Sequence, residues 1–268
     1  MTDLPYHFKA GTTPLLISIP HLGREIPDAQ LSRMTPRALQ RPDTDWHLDL
    51  LYDFGEELGA SILHARYSRY VVDLNRPPDD AHLYPGQEKT GLFPELTFHG
   101  EPLYLDNAVL SAQERERRLN DYWHPYHAKL ALEIDRIRAR HSVVLLWEAH
   151  SIASVLPRLF DGKLPDLNIG TAQGRSCGAN VIGAVEGVLQ NCRYTWAVDG
   201  RFKGGHITRT FGDPDHGVHA VQLEMCQSTY MSECYPYEYR KGLASEIKPV
   251  IRAMIVAALE ALRSPDRQ

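Results

Sequence analysis

Glu224 lies inside the apolar run HAVQLEM (219–225), where a carboxylate is costly unless a partner or a chemical role compensates it. Two histidines hold comparable places. PLLISIP (14–20) delivers His21, and the apolar run VVLLW leads through Glu148 and Ala149 to His150. Two imidazoles and a carboxylate at the ends of three sheet strands are what an open α/β sheet uses to build a site outside its carboxyl edge. Each also has a plainer reading. A strand-end histidine can be a satisfied core side chain, and Glu224 can pair with a buried arginine. RYSRYVVDLNRPPDD (66–80) sets Arg69 and Arg76 on either side of a strand, with Asn75 next to Arg76. Arginine grips carboxylates bidentately and a neighbouring Asn adds a donor, although two arginines on an ordinary ion-pair face would look the same. In TDWHLD (44–49), Asp45 and His47 could reach a metal from a helix start, or Asp45 could be the helix N-cap.

These residues need elements to position them. Short apolar runs at 14–20, at VVLLW and at 219–225 predict buried strands. Residues 61–74 predict two short β segments. The spacing of Leu48, Leu51, Phe54 and Leu58 predicts a helix over 43–59, closed by Gly59. Spacings of three and four predict helix over 108–140, kinked or divided at Pro125, with further helices over 176–190 and 237–263. Residues 75–104, rich in Pro, Gly and acids, predict a long irregular excursion of the functional kind. Residues 195–212 predict a glycine-bearing loop. Alternating strands and helices imply an α/β fold with a mixed or mostly parallel sheet covered on both faces.

Composition narrows the classes. At 268 residues and 43% hydrophobic content the chain can bury a sizeable core. A net charge of −5 offers no basic face, so no nucleic-acid partner is expected. No apolar run approaches transmembrane length, and MTDLPYHFKAGTTPLL lacks the pattern of a signal peptide. No membrane partner and a cytoplasmic location are therefore expected. Cys177, Cys192, Cys226 and Cys234 form no C-x-x-C pair, which argues against a thiolate metal site and for free thiols in a reducing compartment. Thirteen histidines raise the weight of metal or acid–base chemistry. The oligomeric state is left open, a monomer included.

The ordered blocks ISIPHLG, TDWHLD, ARYSRYVVDLNRPPDD, LYPGQEKTGL, LWEAHSI, PRLFDGKLPDLNIGT, GRFKGGHITRTFG and HAVQLEM resemble the N-formylglutamate deformylase (N-formylglutamate amidohydrolase) family over nearly the whole chain. That family is similar in turn to the zinc carboxypeptidase and aspartoacylase group. The resemblance implies a single domain over 1–268 with a three-layer, zinc-exopeptidase-like (phosphorylase/hydrolase-like) α/β fold. It implies hydrolysis of the small molecule N-formyl-L-glutamate to L-glutamate and formate, as the last step of a histidine degradation pathway. One zinc, or another divalent ion, would be held by His21, His150 and an acid. The wider group takes that acid from His-x-x-Glu, but here Arg24 stands three after His21 and Glu25 one later. The acid is therefore carried to Asp45, with Glu25 and His47 as alternatives. Glu224 is implied as general base, Arg69 as the group polarising the scissile carbonyl, and Asn75 with Arg76 as the grip on one carboxylate. A glutamate derivative has two carboxylates, so Arg209 is expected on the second, with Lys203 and Arg201 as substitutes. Three rivals stand beside this reading. One is a related N-acyl amino acid amidohydrolase or carboxypeptidase acting on another acidic substrate. A second is a non-catalytic binder of acidic metabolites. The third is a serine or cysteine hydrolase through Ser151, for which no G-x-S-x-G elbow exists.

Overall fold

A computed structural model describes residues 4–82, 88, 90–105 and 110–263. Its centre is a seven-stranded sheet in the order β1-β3-β2-β4-β7-β5-β6. The strands are β1 (Tyr6–Lys9), β2 (Leu15–Ile19), β3 (Ser61–Ala65), β4 (Val144–Ile152), β5 (Leu167–Gly170), β6 (Trp196–Val198) and β7 (Val218–Cys226). β2, β4 and β7 are buried at every residue, as expected of parallel strands covered on both faces. β3, β2, β4 and β7 run parallel, while β1 pairs antiparallel with β3 and β5 antiparallel with β7.

Two single-turn helices, α1 (Asp28–Leu31) and α2 (Pro36–Leu39), follow β2, and longer helices cover both faces. On one, Leu16, Leu146 and Ala220 pack against Tyr126, Leu130 and Ile134 of α5 (His124–Arg138) and Ile207 of α7 (His206–Phe211). On the other, Leu145, Trp147 and Leu223 pack against Val181 and Val185 of α6 (Ala179–Leu189) and Ile247 and Ile251 of α8 (Lys241–Arg263). The three-layer, mixed and mostly parallel arrangement is as expected. Among the described residues no helix is long and apolar enough to cross a membrane.

Several elements differ from expectation, each for a local reason. The helix expected over 43–59 shrinks to α3 (Leu48–Leu51) and a 3₁₀ turn, Asp53–Gly55. The Asp45 N–H is bonded to the His21 carbonyl at 3.1 Å, and His47 takes φ 63°, so residues 44–47 are tied to the end of β2 rather than wound into a helix. Only the first β segment of 61–74 forms, because the chain after Ala65 turns to carry Arg69, Asp73 and Asn75 to the site. The supposed loop 195–212 contains β6 and α7. The short strands β1 and β5 carried no clear signal. Residues 83–87 and 89 of the expected excursion lie outside the described residues, as do 108 and 109 of the expected helix.

That helix is interrupted just before Pro125 rather than at it. α4 (Ala112–Arg118) passes through a π-helical turn, Leu119–Trp123, into α5. Pro125 has no N–H to complete an α-helical ladder there. His127, in the first turns of α5, donates from Nε2 to the Leu74 carbonyl at 2.8 Å and is buried. Burial pushes its pKa from 6.5 down to about 3, although the Leu74 bond acts the other way. As pH falls the unfolded chain therefore binds this proton first. The contribution of the neutral ring is complete above about pH 6.5 and drains away towards about pH 3, at most about 4–5 kcal/mol. His127→Gln removes the titrating ring, so its urea-unfolding stability should fall less steeply than the parent's between about pH 6.5 and 4. Superimposable acid limbs would remove His127 from the acid response.

Candidate active site

β4 and β7 pair residue by residue, so His150 lies directly across from Glu224 and Glu148 across from Gln222. Residues two apart on a strand share a face, which puts all four side chains on the α7 side of the sheet. β2 runs beside β4, with Ser18 opposite Glu148, and releases Pro20 and His21 at the same edge. β4 continues two residues beyond His150 instead of stopping there. The backbone bond from Asp45 to His21 then brings a third side chain in from the α3 side.

His21, Asp45 and His150 converge. Asp45 Oδ2 lies 3.2 Å from His150 Nδ1 and 3.8 Å from His21 Nδ1. One potential ligand atom from each residue lies within 4.8 Å of the others, and all three residues are buried. Asp45 Oδ1 is buried with no hydrogen-bond partner, a costly state for a carboxylate oxygen unless a cation meets it. Each ring is held from behind by another carboxylate. His21 Nε2 is 2.8 Å from Asp73 Oδ1, and His150 Nε2 is 2.7 Å from Glu148 Oε1. Such outer carboxylates orient metal-binding imidazoles. Donor set, convergence and the orphaned oxygen all fit a divalent ion. Glu25 and His47 are engaged elsewhere: Glu25 pairs with Arg66 at 2.7 Å, and His47 Nε2 lies 2.7 Å from the Tyr237 carbonyl. Asp45 is not a helix cap either, since His47 occupies the N-cap position of α3.

The electrostatics follow from burial and these partners. Burial, helped by Arg69, lowers His21 and keeps that ring neutral, although Asp73 pulls the other way. Burial also opposes charge on His150, but Glu148 and Asp45 outweigh it and push its pKa up to about 10. Asp73 stays well below the usual carboxylate range because Arg69, then His21 and Arg76, overcome its desolvation. Burial raises Glu224 to about 8, with His150 opposing and Asp45 assisting.

A cleft opens beside the triad, lined by His21, His150 and Glu224 together with Arg69, Arg76 and Arg201. Asn75, also in its wall, places Nδ2 3.0 Å from His150 Nε2 and accepts the Ile207 N–H on Oδ1 at 2.9 Å. The start of α7 reaches Asn75 only because residue 205 is glycine: a Cβ there would fall 2.4 Å from Asn75 Nδ2.

The family model for N-formylglutamate amidohydrolase matches residues 13–231. The chain belongs to the N-formylglutamate amidohydrolase family. It is 49% identical over 258 residues to an N-formylglutamate deformylase of Pseudomonas putida, covering 96% of each chain. Against the N-formylglutamate deformylase of Pseudomonas aeruginosa identity is 50% over 253 residues, 94% of this chain and 95% of the relative. The crystal structure of N-formylglutamate amidohydrolase from Ralstonia eutropha JMP134 superimposes with a TM-score of 0.81 at 25% identity, covering 97% of this chain and 98% of that one. An Agrobacterium tumefaciens protein shares the fold with a TM-score of 0.77 at 18% identity, covering 98% and 97%.

Within this family member, the residues singled out in the sequence mostly meet at one place. His21, Arg69, Asn75, Arg76, His150 and Glu224 line the cleft, and Asp45 closes the triad from below. Arg209, within α7, does not line it: its Nε donates to the Gly204 carbonyl at 2.8 Å, and Arg201, from the segment before α7, stands in the wall instead. Ser151 is hydrogen-bonded to the Tyr230 hydroxyl at 2.7 Å, on the opposite side of β4 from His150. Sequence reasoning missed Asp73, Thr208 and Gln222. Asp73 joins His21 to Arg69, while Thr208 donates its N–H to Glu148 Oε2 at 3.1 Å. Gln222 Oε1 accepts the Gly205 N–H at 2.6 Å. The signal for Asp73 was present, an acid inside the apolar run VVDL, like Glu224 inside VQLEM.

Proposed function

We propose that this protein hydrolyses N-formyl-L-glutamate to formate and L-glutamate, using a divalent metal, zinc foremost, held by His21, Asp45 and His150. The observation that carries the reading is a carboxylate, Glu224, set beside a metal-type triad in a cleft walled by three guanidinium groups. Family membership and the names of the Pseudomonas relatives support the substrate. A zinc ion there supplies Lewis acidity towards the formamide carbonyl and the attacking water. The chain's own groups do the rest. Asn75 and Arg76 bind one substrate carboxylate, and Arg201 takes the second in place of Arg209. Arg69 meets the negative charge that develops on the formamide oxygen. Glu224 accepts a proton from the attacking water and returns it to the departing amine nitrogen as the C–N bond breaks. Asp73 and Glu148 keep the two imidazoles in register. With the family resemblance, this reading assigns the protein to the last step of histidine degradation in the cytoplasm.

The test is formate release from N-formyl-L-glutamate beside deacylation of N-acetyl- and N-succinyl-L-glutamate. Acetyl or succinyl turnover equal to formyl would move the protein to the related acylase reading, and binding without turnover would leave it a binder of acidic metabolites. The grips are tested separately. A bidentate arginine contact is lost on change to lysine even though charge is kept. Arg76→Lys should therefore raise KM by about tenfold with little change in kcat. Arg201→Ala should raise KM more than Arg209→Ala does. The reverse order would restore Arg209 as the second grip.

A further inference from the structure

The Leu74–Arg76 segment belongs to no strand, yet Leu74 and Asn75 are buried and Arg76 is partly so, and its backbone polar groups must be held by something. Three consecutive carbonyls show what holds it. Leu74 O accepts from His127 Nε2 at 2.8 Å, Asn75 O from the His206 N–H at 3.3 Å, and Arg76 O from Trp123 Nε1 at 3.0 Å. Two of the three donors are side chains of one helical turn. They are stacked on each other, with centroids 3.7 Å apart and planes 17° from parallel, so each ring limits the motion of the other. His206 closes the cluster at 5.3 Å from His127 and 5.6 Å from Trp123. The turn is where the π-helical segment gives way to α5, an irregularity that proteins often place at functional sites. Neither ring lines the cleft.

We propose that Trp123 and His127 are positioning residues for the substrate's carboxylate: together they clamp the backbone of Leu74–Arg76 from behind and so aim the Asn75 amide and the Arg76 guanidinium into the cleft. Arg76 turns back on this backbone through Nη1, which donates to the Asn75 carbonyl at 2.9 Å, while Nε and Nη2 donate to the Thr90 carbonyl (2.8 Å) and hydroxyl. A shift of the flanking Leu74 and Arg76 carbonyls carries the Asn75 carbonyl between them, and with it the guanidinium that rests on that carbonyl. The effect falls first on substrate binding, because the triad and Glu224 are carried by other elements and meet this segment through the Asn75 contact to the far nitrogen of His150.

Trp123→Phe keeps an aromatic ring in the stack and removes the Nε1–H together with part of the indole. Its expected signature is a KM for N-formyl-L-glutamate raised about three- to tenfold, the worth of one hydrogen bond, with kcat within about twofold. A double-mutant cycle separates clamping from general weakening. In an Arg76→Ala background Trp123→Phe should add clearly less, because one of the two groups it aims is gone and only Asn75 remains. His127→Gln, which can still donate to Leu74, should be milder than His127→Leu. An unchanged KM in Trp123→Phe, or equal losses with and without Arg76, would overturn the proposal. The kinetic arms rest on the functional reading above, so amide hydrogen exchange of the segment around 74–76, measured without substrate, completes the test. Trp123→Phe should speed exchange there and leave β4 and β7 protected. If the unmutated protein releases no formate from N-formyl-L-glutamate, the functional reading fails, while faster exchange confined to 74–76 still upholds the clamp and unchanged exchange ends it.

Discussion

Replacing Glu224 by Gln is expected to slow formate release by about 10²–10⁴-fold while the protein stays folded and binds substrate normally. Glutamine is nearly isosteric and loses only the capacity to accept a proton. The stability half of this forecast comes from the surroundings of Glu224. Among the described residues no cation lies within ion-pairing distance of it, although Arg69 and His150 both act on it through space. Had Glu224 been the partner of a buried arginine, the change to Gln would strand a charge and cost about 3–5 kcal/mol. Its carboxyl is instead raised to about 8, by burial first, which is how a proton-accepting group is prepared in a cleft. Arg76 and Arg201 are untouched by the substitution, so KM should hold while kcat falls. Thermal melting and single-turnover formate release on one sample separate the outcomes. A destabilised but fully active variant would end the general-base role. Suspicion would not pass easily to Glu148, whose two oxygens are already engaged by His150 and Thr208.

The sheet was legible because its central strands are continuous apolar runs, and the strand-end residues were legible because polar groups interrupt those runs. What escaped was set by contacts distant in sequence. The helix expected over 43–59 has the right burial pattern: Leu48, Leu51 and Phe54 all reach the core. Its hydrogen bonding is different, since a backbone bond to His21 and a left-handed His47 cannot be read from side-chain spacing. That same distortion frees Asp45 from a capping role and points it at the histidines. The choice between Arg201 and Arg209 was out of reach for a related reason. Both fall in the stretch expected as one loop, but Arg209 lies within α7 with its Nε on the Gly204 carbonyl, whereas Arg201 precedes the helix and is held on the Leu159 carbonyl. Asp73 is a different case. The question asked of Glu224, why an acid sits among apolar residues, applied equally to VVDL, and the β-segment reading of that stretch hid it.

Removal of His150 is expected to remove the metal. Purified protein should hold about one zinc, or another divalent ion, per chain, and His150→Ala essentially none. Asp45 faces an imidazole nitrogen from each side through Oδ2 and has nothing at all on Oδ1. One cation would satisfy the carboxylate and both Nδ1 atoms together. Losing one of three protein ligands takes away a large part of that affinity, and neither Glu25 nor His47 is free to replace it, since both are bonded elsewhere. The fold should survive, because β4 keeps Leu145, Leu146 and Trp147 in the core on either side of the sheet. Glu148→Gln offers a graded companion: the ligands remain, but the carboxylate behind His150 is gone, and affinity should fall by about 10–100-fold. Elemental analysis after dialysis reads stoichiometry, and melting with and without added zinc reads binding by mass action. The parent should melt higher with zinc, Glu148→Gln should need more of it, and His150→Ala should not respond. A His150→Ala protein that keeps stoichiometric metal and near-normal turnover would show that these three residues do not hold the ion.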